Sequence, residues 1–273
     1  MNITGKTALY GIIGYPVKHS LSPVFQNSAF SYMGLDAVYV PFEVKREDLS
    51  RAVEGLRLAG VKGLNVTVPH KEAVLELANF LSKEVKSIGA ANTLKFSDRG
   101  VEAYNTDWIG FSKAIAEITS LEGKSVLVLG AGGSSRAVLY ALKKERCRIL
   151  LWNRTRERAE HLAEEFGAEV AGDVRDALPF ADVVVNTTSV GLKEEDPPLF
   201  DYDLLSERHI VVDVIYKETR LIKAAKSKGC LYRTGFPMLL YQGAESFKIW
   251  TGCEPPLEAM KRSLIAYGYR SLG

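Results

Sequence analysis

Short apolar runs alternate along the chain with stretches in which apolar residues recur every three or four positions. The apolar runs predict strands near residues 8–13, 37–44, 62–68, 124–129, 146–152, 182–186, 209–213 and 230–234. The intervening stretches predict helices that bury one face, and two further helices are expected at 238–252 and 256–268. Regular alternation of this kind is typical of α/β proteins with mainly parallel sheets.

A glycine-rich turn follows the apolar run at 124–129. Gly130 and Gly132 permit a tight turn and a close approach of the backbone to a pyrophosphate, and the next residues open a helix whose amides favour an anion. The third small position of the G-x-G-x-x-G pattern is Ser135, which is small enough for helix and strand to pack closely. Glycine turns also occur without a ligand, but here strand, turn, helix and second strand come in the required order. The segment therefore predicts a dinucleotide site.

The end of the second strand of this unit indicates which dinucleotide is bound. An acidic residue usually holds the ribose of NAD here, but this chain has Asn153, Arg154 and Thr155, followed by Arg156 and Arg158. A carboxylate would repel a 2′-phosphate, whereas guanidinium groups form charge-assisted bonds to it. The sequence predicts NADP as the cofactor.

Composition sets the wider frame. The 273 residues, 47% of them hydrophobic, suit about two domains of ordinary size. Because 35 basic residues nearly balance 33 acidic ones and no basic block occurs, a nucleic-acid partner is not expected. The three cysteines are far apart and indicate neither a disulfide framework nor a zinc site, which suits a cytoplasmic protein. The apolar run at 8–13 is too short to cross a membrane, and no metal site is predicted.

A separate α/β unit is expected before residue 124, with a boundary near 102–107. Its third strand places Leu64, Val66 and Val68 on one face and Asn65 and Thr67 on the other. The polar pair points to a ligand site at the carboxyl end of the strand, where Lys71 follows.

Three of the polar residues in this unit also have structural explanations. Ser20 and Ser22 stand before Pro23, so they can receive a carboxylate, or Ser22 can serve as a helix N-cap. Lys71 can be a solvated surface charge, and Asp107 can cap the helix that it precedes.

Nine motifs occur in the order in which the shikimate dehydrogenase family has them, and the chain resembles that family over nearly its whole length. They are S-L-S-P at 20–23, N-V-T-V-P-H-K at 65–71, G-A-A-N-T at 89–93, N-T-D at 105–107, G-A-G-G-S-S-R at 130–136, N-R-T at 153–155, N-T-T-S-V-G at 186–191, D-V-I-Y at 213–216 and M-L-L-Y-Q-G-A at 238–244. The resemblance implies reversible, NADPH-dependent reduction of 3-dehydroshikimate to shikimate in aromatic amino-acid biosynthesis.

The resemblance also implies roles for individual residues. Lys71 and Asp107 would be the catalytic pair, and both would also contact the substrate. The substrate carboxylate would bind to Ser20, Ser22 and Tyr216, and its hydroxyls to Asn65, Thr67, Asn92, Asp107 and Gln242. The cofactor pyrophosphate would bind to Gly130, Ala131, Gly132, Gly133 and Ser134, the adenosine phosphate end to Asn153, Arg154, Thr155 and Arg158, and the nicotinamide end to Thr188, Ile215, Gly235 and Met238. One loop departs from the family, because Thr234 and Gly235 stand where the family often has D-G, and Pro237 precedes Met238.

The implied architecture has two domains with the active site in the cleft between them. Residues 1–103 and 238–273 would form a substrate-binding domain with a mainly parallel sheet, and residues 104–237 a Rossmann-like NADP-binding domain. Two alternatives remain open: a relative that accepts quinate or NAD, and a ligand sensor without turnover. The expected partner is the small-molecule substrate, with no membrane attachment and with a monomeric or homodimeric state.

Overall fold

The computed structural model describes residues 3–269, which form two compact units. The first unit runs to Thr106 and resumes at Leu240, and the second comprises Asp107–Leu239. The second unit is therefore an insertion in the chain of the first, and helix α9 (Phe236–Thr251) contains residues of both.

All eight strands expected from the sequence are present, together with four that were not expected. The strands of the described residues are β1 (Ala8–Gly14), β2 (Ala37–Glu43), β3 (Gly63–Val66), β4 (Phe80–Leu81), β5 (Thr93–Ser97), β6 (Gly100–Tyr104), β7 (Ser125–Leu129), β8 (Arg148–Trp152), β9 (Glu169–Val170), β10 (Val183–Asn186), β11 (Ile210–Asp213) and β12 (Leu231–Arg233). The helices are α1 (Ser22–Tyr32), α2 (Leu49–Leu58), α3 (Lys83–Ile88), α4 (Asp107–Ala116), α5 (Gly133–Lys144), α6 (Arg156–Phe166), α7 (Val174–Ala177), α8 (Arg220–Ser227), α9 and α10 (Leu257–Ala266). Both expected C-terminal helices are confirmed as α9 and α10.

The first unit contains a mixed six-stranded sheet in the order β2-β1-β3-β5-β6-β4. Strands β2, β1 and β3 are parallel, whereas β5 runs antiparallel to both β3 and β6. The sequence prediction missed the β5–β6 hairpin, so the sheet is more mixed than expected. Along β3, Leu64 and Val66 face an apolar core as predicted, but Val68 lies beyond the end of the strand and is exposed.

The opposite face of this sheet is covered by aromatic side chains. The ring of Tyr10 lies 5.1 Å from that of Phe30 and 5.3 Å from that of Trp250, measured between centroids. A Cβ atom at Gly63 would lie only 2.3 Å from Trp250 Nε1, so the indole can approach the sheet only because this residue is a glycine. In this position the indole Nε1 donates to the Leu94 carbonyl at 2.9 Å. Helices α9 and α10 thus close this side of the sheet, in contact with α1.

The second unit contains a parallel six-stranded sheet in the order β12-β11-β10-β7-β8-β9. Its central strands are buried on both faces, which explains their continuous apolar sequences. The strand order reverses between β7 and β10, and such a switch point is where doubly wound sheets bind their ligands. The predicted Rossmann-like sheet is confirmed. Within residues 3–269, no helix combines the length and apolarity needed to cross a bilayer.

Candidate active site

The glycine turn after β7 has two glycines with different roles. Gly130 has φ +114°, and a Cβ there would lie 2.7 Å from Thr187 Oγ1, so the fold itself requires glycine. Gly132 has φ −116°, which any residue can adopt, and no protein atom lies within 4 Å of its Cβ position. The fold therefore does not require glycine at 132, and the open space above the start of α5 fits a bound phosphate.

The serine at the third motif position has a larger role than its small size. Ser135 is fully buried, and its hydroxyl accepts from the Gly132 amide at 3.3 Å and hydrogen-bonds to Thr187 Oγ1. Thr187 in turn donates to the Leu129 carbonyl at 2.8 Å. Ser135 thus fastens the glycine turn to the loop after β10, a contact that a glycine or alanine at this position could not make.

The loops after β10 and β11 are joined by a buried carboxylate. Asp213 accepts hydrogen bonds from Asn186 Nδ2, from the Ile215 amide and from the Thr219 hydroxyl, at 3.1, 3.0 and 2.7 Å. Burial raises the pKa of Asp213 to about 6, although these hydrogen bonds oppose the rise. Asn186 Oδ1 accepts from both the amide and the hydroxyl of Thr188. Two residues expected at the nicotinamide end, Thr188 and Ile215, are therefore held by one hydrogen-bonded group.

The other residues expected at the nicotinamide end also lie in the second unit. Gly235 is buried, and a Cβ there would lie 2.0 Å from the Val214 carbonyl, so the loops after β11 and β12 approach too closely for any side chain. Met238 is buried in the first turn of α9, and Tyr216 is half-buried three residues after β11. Although Thr234 departs from the family pattern, the next residue, Gly235, must still be a glycine for the two loops to pack.

The arginines after β8 are not equivalent. Arg154 and Arg158 are exposed and have no acidic partner in the part of the chain that the structure describes. Arg156 is exposed too, but its Nε donates to Glu160 at 2.7 Å. The neighbouring Asn153 amide donates to the Thr155 carbonyl at 2.8 Å, which shapes the turn. The two arginines expected to bind the 2′-phosphate are thus the two whose charge is available.

In the first unit, Ser20 and Ser22 lie at the start of α1. The N-cap explanation of Ser22 is wrong, because the residue at that position is Leu21 and no side chain caps the helix. Ser22 is instead the first helical residue and is 3% exposed, and its amide donates to Ser20 Oγ at 3.3 Å. Its side chain lies near the Tyr39 hydroxyl and acts to lower the pKa of that group.

The structure gathers three of the expected substrate ligands into one buried network. Asn92 Nδ2 donates to Gln242 Oε1 at 3.1 Å, and Asn65 Nδ2 donates to the Asn92 carbonyl at 3.1 Å. The residue at the centre of this network, Ser246, was not among the residues predicted from the sequence. Its hydroxyl accepts from Asn65 Nδ2 at 2.9 Å and donates to the Gln242 carbonyl at 3.1 Å. Ser246 lies one helical turn after Gln242, and this spacing places both residues on the same face of α9. The spacing could have identified Ser246 from the sequence.

Two further hydroxyls complete the network. Thr93 Oγ1 lies 2.8 Å from Ser246 Oγ, and Thr106 Oγ1 lies 3.2 Å from it. Thr106 also donates its amide to Asn92 Oδ1 at 2.7 Å. Since every member has partners, the network is rigid and its donors and acceptors are set in advance.

The expected catalytic residues lie beside these groups in sequence. Lys71 is half-buried after the loop that leaves β3, and its carbonyl accepts from the Ala91 amide, next to Asn92, at 2.8 Å. Thr67 is half-buried in the same loop. Asp107 is 5% exposed, begins α4 and directly follows Thr106.

Hydrogen bonds account for two of the histidines, and burial accounts for one of the cysteines. His70 Nε2 lies 2.7 Å from the Val44 carbonyl, and His209 is held by Ser206. Burial raises the pKa of Cys147 to about 11, so its thiol is unreactive near neutral pH. Among the described residues, no cluster of three or more His, Cys, Asp or Glu could hold a metal ion.

Three family models match the chain. They are the shikimate dehydrogenase substrate binding domain over residues 12–94, shikimate/quinate 5-dehydrogenase over 112–193, and the shikimate 5′-dehydrogenase C-terminal domain over 235–265. A shikimate dehydrogenase (NADP⁺) of Aquifex aeolicus is 53% identical over 96% of this chain and 98% of its own.

Solved structures agree with this match. The crystal structure of the shikimate dehydrogenase of Aquifex aeolicus has a TM-score of 0.95, over 96% of this chain and 99% of its own. That of shikimate 5-dehydrogenase from Thermus thermophilus, in complex with NADP(H) and shikimate, is 37% identical, with a TM-score of 0.88 over 95% of this chain and 99% of its own.

The relatives define the class of protein as an NADP-dependent oxidoreductase that acts on a CH–OH group, and the parallel sheet with its glycine turn agrees with that class. Within that class, the chain belongs to the shikimate dehydrogenase (NADP⁺) family.

Proposed function

We propose that this chain catalyses the reversible, NADPH-dependent reduction of 3-dehydroshikimate to shikimate, with shikimate as its specific substrate. The observation that carries the proposal is the buried network of Asn65, Asn92 and Gln242. A ring with several hydroxyls needs paired donors and acceptors, and such a pocket rejects an analogue that lacks one because a buried polar group is left unmatched.

The proposed chemistry assigns the proton to this chain. The nicotinamide, when bound, supplies hydride to the ketone carbon, so the developing alkoxide needs a proton or a positive charge. Lys71 meets this need as an ammonium that donates the proton or stabilises the oxygen, and Asp107 holds the substrate hydroxyl and the lysine in place. Ser20, Ser22 and Tyr216 bind the carboxylate, and Asn65, Thr67, Asn92 and Gln242 bind the hydroxyls.

The proposed division of labour follows the chain. Residues 1–103 with 238–273 form the substrate-binding domain, to which Asp107 and Tyr216 add substrate contacts, and residues 104–237 form the NADP-binding domain, with Met238 directly after it. The pyrophosphate lies over Gly130–Ser134, the 2′-phosphate end against Asn153, Arg154, Thr155 and Arg158, and the nicotinamide against Thr188, Ile215, Gly235 and Met238. The open space at Gly132 and the unpaired charges of Arg154 and Arg158, among the residues that the structure describes, support this assignment.

The first experiment is a substrate and cofactor panel. Purified protein is mixed with shikimate or quinate and with NADP or NAD, and reduced nicotinamide is followed by absorbance. Turnover with shikimate and NADP alone supports the proposal, and comparable use of quinate or NAD identifies a broader enzyme. Ligand binding without turnover in every pairing rejects the enzyme in favour of a sensor. In Lys71→Ala, turnover should be lost while shikimate still binds.

The arginine assignment has an internal control. Arg158→Ala should raise the KM for NADP by about 10-fold or more, because it removes a charge-assisted bond, and should leave the KM for NAD unchanged. Arg156→Ala removes an arginine that is paired with Glu160 and should leave both values near wild type. Equal effects of the two variants would contradict the assignment.

The proposal also includes a cytoplasmic location and a monomeric or homodimeric state. The three cysteines of the chain are free thiols, which suits a reducing compartment. Light scattering coupled to size-exclusion chromatography distinguishes a monomer or dimer from any larger assembly.

A further inference from the structure

A buried tyrosine joins two of the proposed substrate ligands. Tyr39 lies on β2 and is 1% exposed. Its hydroxyl donates to Asn65 Oδ1 at 2.8 Å, and Ser22 lies close enough to the hydroxyl to act on its pKa, in the lowering direction. Burial raises the pKa of Tyr39 well above its ordinary value, so the hydroxyl keeps its proton and remains a donor.

We propose that Tyr39 is a positioning residue for the substrate, which fixes Ser22 and Asn65 relative to each other. Ser22 is proposed to bind the carboxylate and Asn65 a ring hydroxyl, so the tyrosine hydroxyl sets the distance between the two ends of the bound molecule. This inference rests on the proposed function.

The backbone of Tyr39 is held in place from the helix that begins with Ser22. The Asn27 side chain on α1 accepts from the Tyr39 amide and donates to the Tyr39 carbonyl, both at 2.8 Å. The same side-chain amide donates to the Pro23 carbonyl at 2.8 Å. The start of α1 and the middle of β2 are thus tied together, and the tyrosine ring has little freedom to move.

The hydroxyl also satisfies the buried oxygen of the Asn65 side-chain amide. Within residues 3–269, Tyr39 is the donor to Asn65 Oδ1, while Asn65 Nδ2 donates to Ser246 Oγ at 2.9 Å and to Thr93 Oγ1 at 3.2 Å. Without the tyrosine hydroxyl, a carbonyl oxygen on a side chain that is 4% exposed loses its donor, which leaves a buried polar atom unsatisfied.

The test is Tyr39→Phe, which keeps the ring and removes the hydroxyl. The kcat/KM for shikimate should fall about 10-fold or more, mainly through the KM for shikimate, because the buried Asn65 Oδ1 loses its donor and Ser22 loses a polar neighbour. The KM for NADP should stay within about twofold of wild type, since the NADP groups lie in the other unit. A purely structural role would not produce this split.

The matched control is Tyr10→Phe. Tyr10 lies directly beside Tyr39 in the register of β1 and β2, is nearly buried and belongs to the same aromatic cluster. Its hydroxyl is bonded to neither Ser22 nor Asn65, so this variant should have wild-type kinetics. In addition, Tyr39→Phe should cost less in a Ser22→Ala background than in the wild type, because the two polar side chains are neighbours that act on each other.

The outcomes separate the two proposals. A wild-type protein that does not oxidise shikimate would reject the proposed function. A wild-type protein that does, with Tyr39→Phe indistinguishable from Tyr10→Phe in its KM for shikimate, would overturn the role of Tyr39 alone. If Tyr39→Phe does not fold, the second variant is Asn27→Ser, which keeps the Tyr39 hydroxyl but releases the Tyr39 backbone. Asn27→Ser should raise the KM for shikimate and leave the KM for NADP unchanged. An unchanged KM for shikimate in this variant would also overturn the inference.

Discussion

Replacing each glycine of the turn after β7 by alanine should separate what the fold needs from what the cofactor needs. In Gly132→Ala, the backbone is already extended and no protein atom lies within 4 Å of the added carbon. We expect an unchanged or slightly raised stability, by about 0.4–1 kcal/mol, because alanine restricts the unfolded chain more than glycine does. In Gly130→Ala, the positive φ costs about 1–3 kcal/mol. The contact at 2.7 Å with Thr187 Oγ1 adds to this loss.

The effect on binding should be the reverse of the effect on stability. The methyl group of Gly132→Ala enters the space above the start of α5, where the pyrophosphate is proposed to bind. Losing one charge-assisted bond there costs about 1.5–3 kcal/mol, which corresponds to a KM for NADP raised about 10- to 150-fold. The KM for shikimate should hardly change, because the substrate ligands proposed in the first unit are untouched.

The assay combines thermal melting with steady-state kinetics in which NADP and shikimate are varied in turn. Gly55→Ala is the control, since this glycine lies inside α2 and also has open space around it. A Gly132→Ala protein that melts like the wild type and keeps its KM for NADP would refute the assignment of the turn. So would an equal rise in both KM values, which would indicate a general distortion.

Three further predictions concern stability and the substrate network. Gly63→Ala should lower the free energy of unfolding, measured in urea, by about 2–4 kcal/mol, because the added methyl group displaces Trp250 and breaks its hydrogen bond. The control Gly55→Ala should raise the free energy of unfolding. Similar changes in the two variants would contradict the packing of Trp250 against Gly63. Because the pKa of Asp213 is raised to about 6 in the native state, the folded protein keeps the proton on this carboxyl up to about that pH, whereas the unfolded chain loses it near pH 4. The free energy of unfolding should therefore fall by about 3 kcal/mol as the pH rises from about 4 to 6. Unfolding titrations of Asp213→Asn should lack that decline, and a wild-type pH profile in the variant would refute the assignment. Ser246→Ala should lower kcat/KM for shikimate about fivefold, because Asn65 keeps other partners, with no change in the KM for NADP; a larger change for NADP would place Ser246 elsewhere in the mechanism.

The sequence predicted the parallel strands well because they are short, apolar and buried. The β5–β6 hairpin was missed because charged residues interrupt it, and one of them, Lys95, has a partner that local spacing does not show. Lys95 donates to the Ile249 carbonyl at 3.0 Å, far along the chain, and Glu102 accepts from the Tyr104 hydroxyl at 2.7 Å. A pattern of polar and apolar residues cannot distinguish such paired charges from solvated ones.

The same limit applies to the candidate site. The motifs pointed to the residues that the family uses, but not to Tyr39 or Ser246, whose hydroxyls act through contacts with residues distant in sequence. Tyr39 meets Asn65 across 26 positions, and Ser246 meets it across 181. Ser135 was predicted as a small residue for packing, whereas its hydrogen bonds to Gly132 and Thr187 depend on the return of the chain through β10.

The insertion of the second unit has a consequence for how the protein is made. Residues up to Thr106 leave the ribosome early, but α9 and α10, which cover the aromatic face of their sheet, are synthesised only after Asp107–Leu239. At ordinary elongation rates this interval is roughly 7 to 27 seconds. During that time Tyr10 and Phe30 lack the Trp250 and Phe247 rings that cover them in the finished protein. Until α9 is made, the nascent first unit therefore carries an aromatic surface that these two rings do not yet cover.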